Sequence, residues 1–538
     1  MKYDKIELTV RVANHDDVSG ICTLSRNVYG ELALNEEMLV GQISAFPEGQ
    51  FIVTYNGEAV GHCATFIISG EIALKAHNWN QITGHGFASR HDPHGDFLYG
   101  MEVCVDQRFR GLRIGRRLYD VRKRLCEEFQ LKGIIFGGRM PNLHKKLKQC
   151  RTPEAYVERV VNGNLRDPVI GFQLRNGFEV IGVLKDYLPS DKESLGYATH
   201  MVWRNPKIDN QLVKPQDRRA RAKESVRIAS VQYQARKVNS LEDFAEQMEY
   251  FVDIAADYRS DFVVFPELVT IPLLSIETKK LTPQQSMEKI SGYTDSFVSL
   301  MQKLAVSYNI NIIGGSHPTL MQDATLENHA YVFLRGGAVH TQPKIHPTPN
   351  ERYWWSIKGG NKLKVIQTDC GPIGVLICYD SEFPEAARHL TDQGMKILFV
   401  PFCTDERQGY LRVRYCSQAR AVENQIYVVT SGMVGNLPDV DNMDVHYAES
   451  GIFTPCDFPF ARDGIAALAD ANTETIVFAD LNLAQLTVSR NSGTVQNLKD
   501  RRFDLYRVEW NPKRAIQQET AFRLTNGVQA DSSKVTPK

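Results

Sequence analysis

Short runs of β-branched and aliphatic residues recur along the first part of the chain, among them Phe51–Tyr55, Met101–Val105 and Gly133–Phe136. Their length and composition predict strands. After the second run, apolar residues step by three and four at Leu118, Val121, Leu125 and Phe129, one face of a helix. A second series follows: Val226–Val231, Asp261–Phe265, Ile310–Gly314, Ala330–Leu334 and Gly374–Cys378. Leu241, Phe244, Met248, Phe251 and Ala255 predict a helix between the first two of these. Both halves therefore read as α/β, the second as a layered domain in which buried strands alternate with helices.

Between the two series the pattern lapses. From Pro206 to Lys223, six basic residues (Lys207, Lys214, Arg218, Arg219, Arg221, Lys223) face only Asp209 and Asp217, around a Pro-Gln-Asp turn signal. Such a segment buries little and predicts a linker. The expected division is residues 1–205, a basic linker 206–224, a second domain 225–510 and a polar tail 511–538.

Composition narrows the function. A chain of 538 residues has room for two or three domains. Its 63 basic and 63 acidic residues cancel, so there is no chain-wide electrostatic footprint for nucleic acid or an anionic membrane. The first residues lack the apolar core of a signal peptide, and no stretch reaches the roughly 18 apolar residues of a membrane span. A cytoplasmic chain acting on small molecules is expected. The ten cysteines form no Cys-x-x-Cys pair, which argues against a zinc module or disulfide framework. His85, His91 and His94 share a Gly/Pro loop without regular ligand spacing, so a structured loop bordering an amine pocket is expected there, and no metal.

Three positions in the second domain carry chemistry. Cys378 closes an aliphatic strand just before Tyr379-Asp380-Ser381-Glu382-Phe383-Pro384-Glu385, where a helix begins. A helix N-terminus favours thiolate and can hold an oxyanion. Glu267 follows a strand in Phe265-Pro266-Glu267, and Lys344 lies in Lys344-Ile345-His346. Singly these read as a packed thiol, a helix cap and a solvated lysine. In this order, the three motifs resemble the nitrilase, or carbon-nitrogen hydrolase, superfamily across about Val226–Glu509. The resemblance implies a four-layer α-β-β-α sandwich and a small-molecule amide or nitrile substrate, amides being commoner in the family, with no cofactor. It makes Cys378 the nucleophile, Glu267 the proton carrier, Lys344 the stabiliser of a tetrahedral anion and the Tyr379 backbone N–H an oxyanion donor. Glu351 matches a second glutamate of many members; the plain alternative is a surface carboxylate beside Arg352. Arg420–Asn424 resembles a family segment read as helix packing and subunit contact, and a homo-oligomer is expected. No Gly-x-Ser-x-Gly elbow is present, so His346 reads as a supporting residue and not a base.

In the first domain, the strand ending at Val105 passes through a basic, Gly-containing turn into the predicted helix. Free amides at that helix start suit a pyrophosphate. The run Arg110-Gly111-Leu112-Arg113-Ile114-Gly115 and the later Asn176-Gly177-Phe178 resemble the GNAT acetyltransferase fold over about Ile6–Trp203, with an insertion near Pro141–Asp167. Arg113 stands where the family's middle glycine usually lies. The resemblance implies a mixed sheet flanked by helices that binds acetyl-CoA through Val103, Val105, Arg110, Gly111, Leu112, Arg113, Ile114, Gly115 and Arg116, with a small amine as acceptor. Gln173 replaces the tyrosine that often serves as general acid. Glu102 is either a base or the partner of an arginine. Two other readings stay open: an acyltransferase in which the Cys378 acyl-enzyme meets an amine, and a hydrolase regulated by a non-catalytic acetyl-CoA-sensing domain.

Overall fold

The computed structural model describes residues 6–208, 225–277, 281–437 and 445–511. The predicted linker and polar tail fall almost wholly outside these residues. The chain divides into two compact units, one spanning Lys5–Arg221 and the other drawn chiefly from Ala222 onward. Among the described residues no helix is long and apolar enough to cross a membrane.

The first unit is built on one sheet with strand order Leu8–Val12, Gln50–Tyr55, Glu58–Ile68, Phe97–Val105, Gly133–Gly138, Ala198–Arg204, Glu179–Leu184. Neighbours are antiparallel except Phe97–Val105 and Gly133–Gly138. A parallel pair requires a crossover, supplied by the helix Ile114–Glu128. Leu118, Val121 and Leu125 are buried on it as the periodicity predicts. The parallel ladder covers only Leu98↔Ile134 and Tyr99↔Ile135, so the two strands part beyond Tyr99. The 141–167 insertion forms two helices, Leu143–Cys150 and Pro153–Val161, with a cluster of their own around Tyr156 and Ile170.

In the second unit, the strands Ser225–Ala235, Phe262–Val264, Asn311–Leu320 and Leu326–Phe333 form one half of the sheet. The strands Gly371–Val375, Ile397–Phe402 and Tyr427–Gly435 form the other. They join where Met433–Gly435 pairs in parallel with Tyr233–Ala235. Strand alternation sorts their side chains into two cores. Val226, Ile228, Phe262, Val264, Ile313 and Val332 point toward Ile373, Val375, Ile397 and Phe399 of the other half, and the Phe262 and Phe399 rings lie 5.2 Å apart. The intervening residues Ala229, Val231, Val263, Phe265, Ile312 and Phe333 pack instead on Phe244, Met248, Phe251, Phe297 and Met301, from the helices Leu241–Asp257 and Thr294–Tyr308. Helices Pro384–Asp392 and Arg407–Asn424 supply Leu390 and Val413 to the other half. The order helix, sheet, sheet, helix is the expected four-layer sandwich.

Candidate functional site

Glu267 sits where the strand Phe262–Val264 has ended, and its seat depends on a bulge in the next strand. The pairing of Asn311–Leu320 with Leu326–Phe333 shifts register between Ile313 and Ser316. Gly315 there has a φ of +66°, and an added Cβ would lie 1.9 Å from the Pro266 carbonyl oxygen. Only glycine lets the Phe265-Pro266-Glu267 backbone approach so closely. Ser316 Oγ then accepts from the Leu268 N–H at 3.0 Å.

Lys344 follows the strand Val339–Pro343, and its N–H donates to the Asn328 carbonyl at 2.8 Å. Its ammonium is 1% exposed and donates to Glu267 Oε1 at 2.7 Å and to Glu351 Oε2 at 2.6 Å. Glu351 is held by a capping box on the helix Pro349–Trp354. Thr348 Oγ1 accepts from the Glu351 N–H, and Glu351 Oε2 accepts from the Thr348 N–H at 2.7 Å. Glu351 is buried, so it is no surface partner of Arg352.

The approach to Cys378 differs from the sequence expectation. The strand ladder ends at Val375, and Cys378 opens a 3₁₀ turn, Cys378–Glu382, ahead of the α-helix that starts at Pro384. The thiol therefore does not crown a long helix. Its backbone instead has a φ of 48°, a left-handed conformation unusual outside glycine and found at functional turns. The thiol donates to the Cys403 carbonyl at 3.9 Å, and Tyr379 follows directly in the turn.

The electrostatics follow from burial. Desolvation pushes Glu267 up to about 7, against the opposing charge of Lys344 and a hydrogen bond from the Cys378 thiol. Burial raises the Cys378 thiol well above its usual value, and the Glu267 charge raises it further. Burial alone would lower Lys344, but Glu267 and Glu351 override it and hold the ammonium well above the ordinary lysine range. The resting arrangement is thus a neutral thiol beside a carboxyl able to change protonation near neutrality and a fixed cation.

Three residues of this cluster were not singled out in the sequence. Asn328 Nδ2 donates to Glu267 Oε1 at 3.0 Å and Glu351 Oε1 at 3.4 Å. The Cys403 N–H donates to Glu267 Oε2 at 3.1 Å. Asp380 accepts from the N–H groups of Ile345, His346 and Ile377. Asn328 had left a signal: it shares a strand face with Ala330 and Val332, where an apolar residue is expected. His346 is stacked on Phe383 at 3.8 Å and hydrogen-bonded to Asp380, consistent with a supporting part. Arg420 turns inward and donates to the Ser381 carbonyl at 3.0 Å.

In the first unit, Arg113 is the residue preceding the helix Ile114–Glu128 and has a φ of 49° and ψ of 28°. Arg113 adopts the left-handed conformation that a glycine would take freely. Gly111, at φ +97°, has open space around it, whereas a Cβ on Gly115 would meet Phe172 Cζ at 2.9 Å. Gly111 thus shapes the turn and Gly115 lets the helix pack. The first-turn amides of this helix, Arg110 and the parted strand edge beyond Tyr99 fit a pyrophosphate with an extended arm, although the Val103 carbonyl already accepts from Tyr29 Oη at 2.6 Å. Gln173 is buried against Gly138 and Thr199. Burial raises Glu102 to about 7, and its carboxylate accepts from Ser25 Oγ at 3.3 Å. Arg122 donates to the Glu102 backbone carbonyl at 2.7 Å. In the histidine loop, His91 Nδ1 accepts from the Ile67 N–H at 3.2 Å and its ring stacks on Phe46, as a structured loop requires.

Known proteins bear on both units. Residues 227–491 match the carbon-nitrogen hydrolase family. The chain is 46% identical over 505 residues to a protein from Bacillus subtilis named as a probable hydrolase, YhcX, covering 94% of this chain and 97% of that one. A second B. subtilis protein, the uncharacterized N-acetyltransferase YkwB, is 34% identical over 203 residues, 37% of this chain and 89% of its own length. The omega-amidase NIT2 of Xenopus tropicalis is 29% identical over 263 residues, 47% of this chain and 88% of that protein. The chain belongs to the carbon-nitrogen hydrolase family of the nitrilase superfamily, as an enzyme whose hydrolase domain is fused to an N-terminal region homologous to an N-acetyltransferase.

Proposed function

We propose that the second domain hydrolyses a small-molecule amide through a thioester formed on Cys378. The observation that carries this reading is the buried ammonium of Lys344, shared between Glu267 and Glu351 beside the cysteine turn. Such a cation is well placed to meet developing negative charge, and burial makes its effect larger than in water.

Cys378 Sγ attacks the amide carbon while Glu267 takes the thiol proton. Lys344 and the Tyr379 N–H hold the resulting oxyanion. Collapse of the tetrahedral species breaks the carbon-nitrogen bond, and Glu267 returns its proton to the departing ammonia or amine. Water then attacks the thioester, Glu267 accepts its proton, and the acid leaves as the thiol re-forms. Glu351 and Asn328 fix Lys344 and Glu267 without touching the reacting atoms. The relative named as an omega-amidase supports an amide over a nitrile. Tyr415 and Val422 are exposed on the helix Arg407–Asn424, which supports self-association through that helix.

For the first domain, the proposal is acetyl-CoA binding at residues 110–116 with transfer to a small amine. The coenzyme supplies an acetyl thioester. The helix-start amides would receive its pyrophosphate, and Val103 and Val105 would flank its arm on the strand edge that has parted from Gly133–Gly138.

Intact-mass analysis of the wild type and Cys378→Ala, mixed with a panel of small amides, tests the hydrolase. An adduct of acyl mass on the wild type alone is expected. Hydrolysis that persists in Cys378→Ala would overturn the assignment.

A further inference from the structure

Away from the hydrolase cluster, the first unit buries a histidine, a glutamate and a cysteine against one another. On the antiparallel pair Glu58–Ile68 and Phe97–Val105, His62 stands directly opposite Cys104. Glu102 is two residues before Cys104, and hence on the same face. Candidate ligand atoms of the three side chains all lie within 4.8 Å of one another.

The face is well defined. Ser25, on the helix Val18–Tyr29, donates to Glu102 at 3.3 Å, whereas the thiol of Cys63, one residue beyond His62, donates to the Leu118 carbonyl of the helix Ile114–Glu128. The cluster therefore lies under the first helix. Arg122 comes from the second and is directed at the Ala64 and Glu102 backbone carbonyls.

An independent observation points to a ligand. His62 is 1% exposed, and its Nδ1 is buried with no hydrogen-bond partner. A buried polar atom left so is costly and is relieved by a bound group that pairs with it. Charge decides what that group is. A thiolate, a carboxylate and a neutral imidazole balance a dication, so the three ligands neutralise the ion they hold. A mixed sulfur, nitrogen and oxygen set suits zinc far better than calcium or magnesium, and three protein ligands leave a fourth position open.

We infer that His62, Glu102 and Cys104 bind a thiophilic divalent transition ion of the zinc type. Its ligands come from two strands without a short sequence motif, which explains why sequence spacing predicts no metal.

Cobalt(II) titration of the full-length, metal-stripped protein tests this, in a Cys378→Ala background that removes the hydrolase thiol. A near-ultraviolet sulfur-to-cobalt band should saturate at one equivalent, be displaced by zinc and vanish in Cys104→Ser. His62→Ala and Glu102→Gln should each weaken binding at least as much as the roughly 10–100-fold typical of outer-shell changes. Absence of the band, or its survival in Cys104→Ser, overturns the site. If Cys104→Ser fails to fold by near-ultraviolet circular dichroism, the near-isosteric Glu102→Gln decides: unchanged cobalt affinity overturns the inference, and weakened affinity supports it.

Discussion

Asp380 Oδ1 accepts hydrogen bonds from both the backbone N–H and the ring Nδ1 of His346, each at 2.8 Å. Its other oxygen takes the N–H groups of Ile345 and Ile377. One buried carboxylate thus ties the two residues after Lys344 to the residue before Cys378. The separation of the Lys344 ammonium and the Cys378 thiol is fixed by this clamp more than by either strand, since the ladder has already ended at Val375. Asp380→Asn keeps the size but can accept through one oxygen only. It should slow Cys378 alkylation by iodoacetamide about tenfold or more, measured well below the unfolding transition, and lower the melting temperature by roughly 5–15 °C, since two bonds worth about 1.5–3 kcal/mol each are lost. An unchanged alkylation rate would show that the clamp is dispensable.

The pH dependence of the same alkylation reports Glu267. Burial raises this carboxyl to about 7, and it must be ionised to accept the thiol proton. Reactivity should therefore rise with pH through about 7, and fall as acid protonates the base. Glu267→Gln should remove this limb and leave only ionisation of the thiol, which burial places well above its usual range. General-base assistance is typically worth about 10²–10⁴-fold near neutrality. Superimposable profiles for wild type and Glu267→Gln would exclude Glu267 as the base.

Much of this was legible in the sequence because it rests on local order. The run Val226–Val231 read as a buried strand, which the structure shows shared between two cores, Val226 and Ile228 in one and Ala229 and Val231 in the other, and the Phe-Pro-Glu, Lys-x-His and Cys-Tyr-Asp motifs each lie at or just past a strand end. What was missed depends on backbone trajectory. The 3₁₀ turn at Cys378 replaces the anticipated helix start because the chain leaves the ladder at Val375, three residues before the cysteine. Cys403 enters through its N–H, to which any residue type but proline could contribute. Glu351 read as a possible surface residue because its burial arises from a capping box with Thr348 that turns the side chain toward Lys344.

Gly315 offers a test of the base's seat independent of chemistry. A Cβ placed 1.9 Å from the Pro266 oxygen cannot be absorbed by a side-chain rotation, because the obstacle is backbone, and φ is +66°. Gly315→Ala should destabilise the second unit by about 2 kcal/mol or more and impair turnover through Glu267. Wild-type thermal stability in this variant would mean the close approach is not rigid.

Arg113 makes the opposite prediction for the first unit. It holds φ at 49° just before a helix, a conformation costing about 1–2 kcal/mol for a residue with a Cβ. Glycine relieves that strain but adds unfolded-state entropy, so Arg113→Gly should be stabilising by no more than about 1 kcal/mol. If the backbone amides and not the Arg113 side chain receive the pyrophosphate, coenzyme affinity by calorimetry should change less than threefold. A larger loss would assign the phosphate contact to the guanidinium.

The last prediction concerns what Lys344 does for the fold. Two carboxylates, Glu267 and Glu351, share its buried ammonium. Lys344→Met removes the cation and leaves two acids in a site with little water, and breaking a buried ion pair this way costs about 3–5 kcal/mol. Glu351→Gln alone is milder, because Lys344 keeps Glu267. In the Lys344→Met background the same Glu351→Gln change should turn stabilising, since it takes away one of two unpaired charges. A double-mutant cycle read by chemical denaturation should show the double variant less destabilised than the sum of the two single variants, by about 0.5–3 kcal/mol, the range of contacting residues. Strict additivity would mean that Glu351 and Lys344 do not share charge in solution. Activity should stay absent in the double variant even where stability recovers if, as proposed, Lys344 is the cation that meets the oxyanion, and that separation distinguishes a catalytic lysine from a purely structural one.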